Sequence, residues 1–256
     1  MPLPYRIGPP TEAQVLAAAP QIGSAPLPEI TDFSARPSRF RVYRGDDGDT
    51  NAGVTWGAAG AVVALQKKET AQGNGFARPV GIGVQHDSED FDHVIELTTF
   101  TDITQANLGA GAYWLGRLCH CEGPRTAELG TWAQVGLTFD RNSNAWSVGG
   151  EYKEIGDINA TANGGHALAG APVGVKLRAV NAAGILTFYS DDDQGAGYTG
   201  WTQVGTSWDQ HKWQTAGTMS PALGVRETAF WAGLVGADGT AVASCRLDAW
   251  TPSGVA

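Results

Sequence analysis

Short apolar runs recur along most of the chain, and turn-forming residues separate one run from the next. From Phe40 to Trp250 the runs are rich in Val, Ile, Phe and Trp and show almost no helical period. This pattern is typical of the short strands of a β-sandwich or barrel. The predicted strands are 40–43, 61–65, 80–84, 93–97, 112–119, 132–139, 145–148, 173–180, 184–189, 201–204, 229–235 and 241–250.

The first 37 residues have a different composition, because eight of the thirteen prolines lie there. Proline fixes φ and donates no N–H, so this stretch is predicted to be extended. One short helix is predicted within it, with Thr11 as the N-cap, Gln14 completing a capping box and Pro20 at the end.

We therefore divide the chain into a Pro-rich arm, residues 1–38, and one sandwich domain, residues 39–256. A helix of this length is not stable alone in water, so the arm needs a partner surface. It either folds over its own domain or docks into a neighbouring subunit. The apolar residues that would make the docking contact are Tyr5, Ile7, Val15, Leu16 and Ile22.

The composition favours an all-β fold. The chain has 35 glycines, nine tryptophans and two methionines among its 256 residues. Each glycine inside a helix costs roughly 0.5–1 kcal/mol relative to alanine, whereas sheets joined by tight turns use glycine freely. A helical bundle, a coiled coil and a Rossmann-like α/β fold are therefore disfavoured.

The net charge limits the classes of partner that the protein is expected to bind. Lys and Arg number 17 against 26 Asp and Glu, which gives −9. A surface of this sign repels phosphate backbones and anionic lipid, so we expect neither nucleic-acid binding nor membrane insertion. The N-terminus lacks the pattern of a secretory signal peptide, and we expect the protein to be made and assembled in a cytoplasm.

The cysteines do not predict a disulfide framework, because their number is odd. Cys119 and Cys121 flank His120, and on a strand these side chains would alternate between the two faces. A zinc site needs three or four convergent ligands, and the other histidines are scattered. Buried reduced thiols, Cys245 included, are the preferred interpretation.

Two acidic segments, 46–49 and 191–193, are candidates for a calcium ion, which prefers oxygen ligands. Neither has EF-hand spacing. Adjacent aspartates in a hairpin loop are also typical of a solvated turn, and both interpretations stay open. The favoured calcium ligands are Asp191, Asp192 and Asp193, and no other cofactor is predicted.

Aromatic and polar residues cluster around the Gly-rich segment 194–200. Pyranose rings stack on exposed aromatics while polar groups fix their orientation, so this cluster predicts a glycan site. A protein interface would use the same residue types. Most other tryptophans are expected to fill the core. The predicted ligand-binding residues are Tyr198, Trp201, Trp208, Asp209, His211 and Trp213.

Several segments of the second part of the chain carry a family resemblance: 130–140 with Trp146, 175–193 with 201–205, 230–235 and 245–250. With these segments the chain resembles concanavalin-A-like, or laminin-G-like, jelly-roll domains. The resemblance covers roughly residues 90–256 and is also seen with the C-terminal part of many tailed-phage minor tail proteins. That family includes lectins, glycosidases and adhesive virion domains, among which the fold alone does not choose.

Glycosidases of this family carry their acids on one strand as E-x-D-x-E, and this string is absent from the chain. Hydrolysis needs two facing carboxylates, about 5–5.5 Å apart for retention. Asp90 and Asp92 would share a face, with Glu96 nearby, whereas Glu151 and Glu154 are interpreted as a solvated turn. We therefore predict no catalytic residues and no enzyme activity.

The resulting prediction is an all-β jelly-roll sandwich with an N-terminal arm, acting as a non-enzymatic structural protein of a tailed-phage virion. The favoured role is a minor tail protein with a lectin-like domain that adheres to a host-surface glycan. Its partners would be other virion proteins through the arm, and further copies of itself. The alternatives are a capsid decoration protein and a jelly-roll glycosidase or depolymerase.

Overall fold

The structure is a computed structural model that describes residues 30–34, 40–43, 53–66, 80–86, 91–101, 103–106, 111–122, 131–153, 161–209, 226–236 and 242–253. These residues form strands joined by turns. In chain order the strands are β1 (Phe40–Tyr43), β2 (Gly53–Gly57), β3 (Gly60–Gln66), β4 (Val80–His86), β5 (Phe91–Thr101), β6 (Gly111–Glu122), β7 (Thr131–Asp140), β8 (Ala145–Lys153), β9 (Thr161–Leu168), β10 (Gly174–Ala182), β11 (Ile185–Asp193), β12 (Thr202–Asp209), β13 (Arg226–Gly236) and β14 (Val242–Ser253).

The strands form two antiparallel sheets of seven strands each. Sheet I has the order β1-β4-β13-β6-β7-β8-β9, and sheet II has the order β12-β11-β10-β5-β14-β3-β2. The chain crosses repeatedly between them, since β4, β6 and β13 belong to one sheet and β3, β5 and β14 to the other. The predicted all-β jelly-roll sandwich is thereby confirmed.

The core lies between the sheets and follows from alternation along each strand. In β5, the side chains of Phe91, Ile95 and Leu97 are buried, whereas Asp92 and Glu96 between them are only partly so. Successive side chains of a strand point to opposite faces, so one face of β5 packs inward and the other carries the polar groups. Val175, Leu177 and Ala179 of β10, Leu186 and Phe188 of β11, and Val135, Leu137 and Phe139 of β7 continue the same core.

Residues 30–33 pack on the sandwich, although the sequence places them in the arm. Ile30 exchanges two backbone hydrogen bonds with Trp250, at 2.8 and 2.9 Å. Phe33 is fully buried in the core, with its ring 6.5 Å from that of Trp56. The predicted helix, Thr11 to Pro20, and the predicted docking residues Tyr5, Ile7, Val15, Leu16 and Ile22 lie outside the described residues.

Two strands have no counterpart in the prediction. β2 lies between the predicted strands 40–43 and 61–65, and β9 has the sequence TANGGHAL, without Val or Ile. Gly164 in β9 has a φ of 75°, which glycine adopts without the steric cost that other residues meet. β9 therefore lacks the composition by which a strand is recognised.

An amide side chain joins the edges of the two sheets, in a contact that we name the Asn163 clasp. Asn163 of β9 donates to the carbonyl of Thr206 in β12, at 2.9 Å, and its Oδ1 accepts from the Thr206 backbone N–H and Oγ1, at 3.2 and 2.9 Å. Gly205 has a φ of 70°, and a Cβ there would lie 1.7 Å from the Asn163 carbonyl oxygen. The clasp thus requires glycine at this position.

Cys245 of β14 is buried, as predicted, and its thiol donates to the carbonyl of Leu115. Burial raises the pKa of this thiol. Cys119 and Cys121 lie two residues apart on β6, and their side chains are outside the description. Among the described residues there is no helix long and apolar enough to span a membrane.

Candidate functional site

The outer face of sheet II, the side turned away from the core, carries a cluster of charged and aromatic side chains. It is formed by the residues that alternate with the core in β5, β10 and β11. The pairing of β10 with β5 and β11 brings Lys176 opposite Glu96 and Arg178 opposite Tyr189. The members of this cluster are Asp92, Glu96, Thr98, Lys176, Arg178, Tyr189, Asp191, Asp193, Tyr198, Trp201, Arg246 and Asp248.

Three ion pairs organise the face. Arg178 donates two hydrogen bonds to Asp92, at 2.8 and 2.5 Å, and these bonds raise the pKa of the guanidinium further above its ordinary value. Lys176 Nζ lies 3.9 Å from Glu96 Oε2. The third pair is Arg246 Nε to Asp248 Oδ1, at 2.5 Å. All three cations are about one-third exposed, at 31%, 31% and 32%.

Trp201 is the most exposed aromatic residue of the cluster. It precedes β12, and 38% of its surface is accessible. The Arg178 guanidinium carbon lies 5.6 Å from the centroid of the Trp201 ring and 5.7 Å from that of Tyr189, so one cation contacts two aromatic rings. Asp92 accepts two hydrogen bonds from Arg178 and so fixes the guanidinium. Trp201 packs against that fixed group.

Tyr198 lies beside the Lys176–Glu96 pair. Its hydroxyl donates to Glu96 Oε1 at 2.8 Å, and Lys176 Nζ is 4.0 Å from its ring centroid. Burial raises the pKa of the Tyr198 phenol well above its ordinary value, and the carboxylates of Glu96, Asp193 and Asp248 add to this effect. The phenol is therefore a neutral hydrogen-bond donor among three acids.

The Gly-rich segment that carries Tyr198 is held by aspartates of β11. Asp193 Oδ1 accepts from the backbone N–H groups of Gly195 and Gly197, at 2.7 and 2.8 Å. Asp191 Oδ1 accepts from those of Thr199 and Gly200, at 2.9 and 3.0 Å. These bonds place Tyr198 and Trp201 over the sheet.

The predicted calcium triad is not formed. Asp191, Asp192 and Asp193 belong to β11 and not to a hairpin loop, so their side chains alternate between two directions. Asp191 and Asp193 hold the Gly-rich segment, whereas Asp192 lies 3.4 Å from His166 of β9. Within the described part of the chain, no group of three or more His, Cys, Asp or Glu side chains is placed to hold a metal ion.

The predicted glycan residues separate into two groups. Tyr198 and Trp201 lie together on the outer face of sheet II, as expected. Trp208 instead packs against the core, with its ring 3.8 Å from that of Tyr152, because it is on the opposite side of β12. Asp209 ends β12, its side chain outside the description, and His211 and Trp213 lie outside the described residues.

Two carboxylates of the face lie on neighbouring strands. β14 pairs with β5 so that Ala249 is opposite Glu96, and a bulge between Leu247 and Ala249 holds Asp248. Thr98 of β5 donates to Asp248 Oδ2, and both Glu96 and Asp248 act on the Tyr198 phenol. Glu96 and Asp248 thus lie on adjacent strands of the same face. The sequence did not reveal this, because a bulge in β14 sets the position of Asp248.

The other predicted acids are placed differently. Asp92 is committed to Arg178, and Asp90 lies outside the described residues. Glu151 was interpreted as part of a solvated turn, but it belongs to β8 and accepts from Gln134 Nε2 at 3.0 Å. Glu154 lies outside the described residues. The sequence also missed Lys176, Arg178, Tyr189 and Arg246, which their alternation with buried apolar residues in β10, β11 and β14 could have indicated.

No family model matches the chain, and no curated protein matches its sequence. The fold is similar to that of the catalytic domain of a laminarinase (endo-1,3-β-glucanase) from Thermotoga petrophila, with a TM-score of 0.53, 10% identity, and coverage of 90% of this chain and 97% of that one. It is also similar to Bacteroides ovatus xyloglucan PUL GH43B, with a TM-score of 0.54, 8% identity and coverage of 90%.

The chain spans less than half the length of some of the structures that it matches. It covers 40% of the Bacteroides ovatus chain and 32% of a xylan β-1,4-xylosidase from Bacillus halodurans, which has 12% identity and a TM-score of 0.48. Identities in this range show a shared fold alone. The likeness supports a concanavalin-A-related β-sandwich, as the resemblance implies.

These neighbours overturn the predicted function. The chain was predicted to be a non-enzymatic structural protein of a virion, because no catalytic string is visible in its sequence. The same architecture is that of a catalytic domain, matched over 97% of its length, and the neighbours named here give no link to a phage. The prediction of a non-enzymatic virion protein is therefore contradicted at the level of fold, and its alternative, a jelly-roll glycosidase, is the better supported.

Proposed function

We propose that this chain acts on a glycan, which it binds on the outer face of sheet II and cleaves by glycoside hydrolysis. The observation that carries this proposal is the placement of Glu96 and Asp248 on neighbouring strands of a face that also carries the exposed Trp201, with Glu96 accepting from the Tyr198 hydroxyl. Glycoside hydrolysis needs two carboxyl groups that flank one bond, and an aromatic surface that orients the sugar.

Glu96 would be one carboxyl group of the catalytic pair; it lies beside Lys176 and accepts from the hydroxyl of Tyr198. Asp248 would be the other; it accepts from Thr98 and is bonded to Arg246 at 2.5 Å. The two would share the roles of nucleophile or base and of proton donor that glycoside hydrolysis needs.

Trp201 and Tyr189 would form the sugar-binding surface. Their rings contact Arg178 at 5.6 and 5.7 Å, and Trp201 keeps 38% of its surface accessible for stacking. An apolar sugar face packs on such a ring, while the neighbouring polar groups fix the orientation. The likeness to the Thermotoga petrophila laminarinase supports the proposal at the level of fold.

The experiment is reducing-end release from laminarin, xylan and xyloglucan by the full-length protein. We expect release from at least one of them, and a loss of about 100-fold or more in Glu96→Gln and in Asp248→Asn, since each removes one acid–base partner. Asp140→Asn is the matched control, because this carboxylate ends β7 in the other sheet and bonds only to Asn142 and Ser143 among the described contacts.

Full activity in Glu96→Gln or Asp248→Asn would contradict the assignment of these residues. Binding of a glycan by the folded protein without any release would contradict hydrolysis.

A further inference from the structure

The charges on the outer face of sheet II point to a class of substrate. Among its described residues are five carboxylates (Asp92, Glu96, Asp191, Asp193 and Asp248) and three cations (Lys176, Arg178 and Arg246). The chain as a whole carries a net charge of −9. An approaching polyanion is therefore repelled both by the face and by the protein at long range.

Each of the three cations is already paired with a carboxylate of the same face. Arg178 is held by Asp92, Lys176 lies beside Glu96, and Arg246 bonds to Asp248. A sugar carboxylate would add a negative charge to a face whose described cations are already balanced by protein carboxylates. An uncharged sugar adds none.

Of the three ion pairs, Arg178–Asp92 bears most directly on sugar binding, because Arg178 lies against Trp201 and Tyr189, where the sugar would stack. A guanidinium fork is the side chain best suited to bind a carboxylate with two hydrogen bonds. Here Asp92 takes the Nε–Nη2 edge of the guanidinium, at 2.8 and 2.5 Å, and balances its charge. The guanidinium thus positions the rings, and a ligand meets it with its charge already balanced by a protein carboxylate.

We propose that the substrate is an uncharged glycan, and that Asp92 determines this preference by occupying Arg178. This inference rests on the proposed function, whose site it deepens. It assigns to Asp92 a role in specificity, distinct from the catalytic roles of Glu96 and Asp248.

The test compares the binding of laminarin, xylan and xyloglucan, which are uncharged in their backbone sugars, with that of polygalacturonate, at low salt. We expect the wild-type protein to bind one of the uncharged glycans and not polygalacturonate. Asp92→Asn should gain affinity for polygalacturonate by roughly threefold or more, the size of one partly exposed charge contact. The affinity for the uncharged glycan is measured on the same variant, and the ratio of the two affinities should shift toward polygalacturonate by at least the same factor.

Two further variants test whether the gain in Asp92→Asn comes from the release of Arg178 or only from the loss of one negative charge. Asp140→Asn removes the same charge far from the face and should gain nothing. Asp92→Asn combined with Arg178→Gln should lose the gain, because the freed guanidinium is removed. A circular dichroism spectrum and a melting curve for each variant show that it is folded.

Tighter binding of polygalacturonate than of every uncharged glycan by the wild-type protein would overturn the inference and leave the glycan-acting function standing. No gain in folded Asp92→Asn would overturn the role of Asp92. Absence of binding to any of these glycans would count against the proposed function itself.

Discussion

The two outer faces of the sandwich both hold arginine–carboxylate pairs, but they bury them to different extents. On sheet I, Arg117 of β6 lies over Gly136 of β7 and is only 2% exposed, with Nη1 3.4 Å from Glu151 and Nη2 3.0 Å from Thr138 Oγ1. On sheet II, Arg178 makes a closer pair with Asp92, yet it is 31% exposed and contacts an accessible tryptophan.

This difference separates a charge on which the fold depends strongly from one on which it depends less. A buried charge that loses its partner destabilises the fold by several kcal/mol, whereas a partly exposed pair contributes about 1 kcal/mol or less. Residues around Arg117 are therefore constrained by folding. Residues around Arg178 are free to serve a ligand, because the fold depends on them less.

The largest effect is expected from Glu151→Ala on sheet I. This change removes the carboxylate that faces Arg117 Nη1 and accepts from Gln134, which is fully buried. We expect the free energy of unfolding to fall by about 3 kcal/mol, measured by urea denaturation. Lys176→Gln, which breaks an ion pair on sheet II, should cost less than about 1 kcal/mol. Equal losses in the two variants would remove the distinction between the faces.

Gly136→Ala tests how tightly Arg117 packs on sheet I without changing any charge. A Cβ at Gly136 would lie 2.5 Å from Arg117 Cδ and 2.6 Å from the carbonyl oxygen of Gly116, so backbone must move. We expect a loss of about 1–3 kcal/mol in the free energy of unfolding. The control is Gly149→Ala on β8, where the nearest atom is a carbonyl oxygen at an ordinary 3.6 Å. An unchanged free energy of unfolding in Gly136→Ala would mean that Arg117 is not held against the sheet.

Trp201→Ala should affect binding and leave folding almost unchanged. With more than a third of the ring exposed, its loss opens no cavity in the core. We expect glycan affinity to fall by about 1–2 kcal/mol, measured by calorimetry, and the melting temperature to stay within a few degrees. A variant that binds as the wild type does would remove Trp201 from the site.

The smallest effect concerns the titration of Tyr198. The pKa of its phenol is raised by burial and by three acids, so the folded protein keeps this proton where an unfolded tyrosine loses it, near pH 10. Its contribution to stability is thus full below about pH 10 and is lost as the pH rises through the raised value. Tyr198→Phe should leave the amplitude of the ordinary tyrosine transition in ultraviolet absorbance unchanged. A reduced amplitude would show that the Tyr198 phenol has an ordinary pKa.

The fold was largely predictable from the sequence because each strand repeats the same physical pattern. In β5, Phe91, Ile95 and Leu97 alternate with polar residues, and the sheet follows from that period. β9 was missed because two glycines and no β-branched aliphatic residue leave it without this signal. Its strand is defined by tertiary pairing with β8 and by the Asn163 clasp.

The site was only partly predictable, since its residues come from strands far apart in sequence. Tyr198 and Trp201 were found because aromatics in a Gly-rich segment are conspicuous. Asp248 was not, because its position depends on a bulge in β14 that pairs it with Thr98 of β5. The three adjacent aspartates gave a misleading signal, because a strand directs neighbouring side chains to opposite sides.

The Asn163 clasp has a consequence for self-association. β9 and β12 are terminal strands of their sheets, and terminal strands offer unpaired N–H and C=O groups to other chains, which is a route to aggregation. The amide of Asn163 takes both the N–H and the C=O of Thr206, as an added strand would. At this point the edge strand of each sheet therefore covers the edge strand of the other. The N–H and C=O of Thr206 are then not open to pairing with a strand of another chain, which is the contact that starts a fibril.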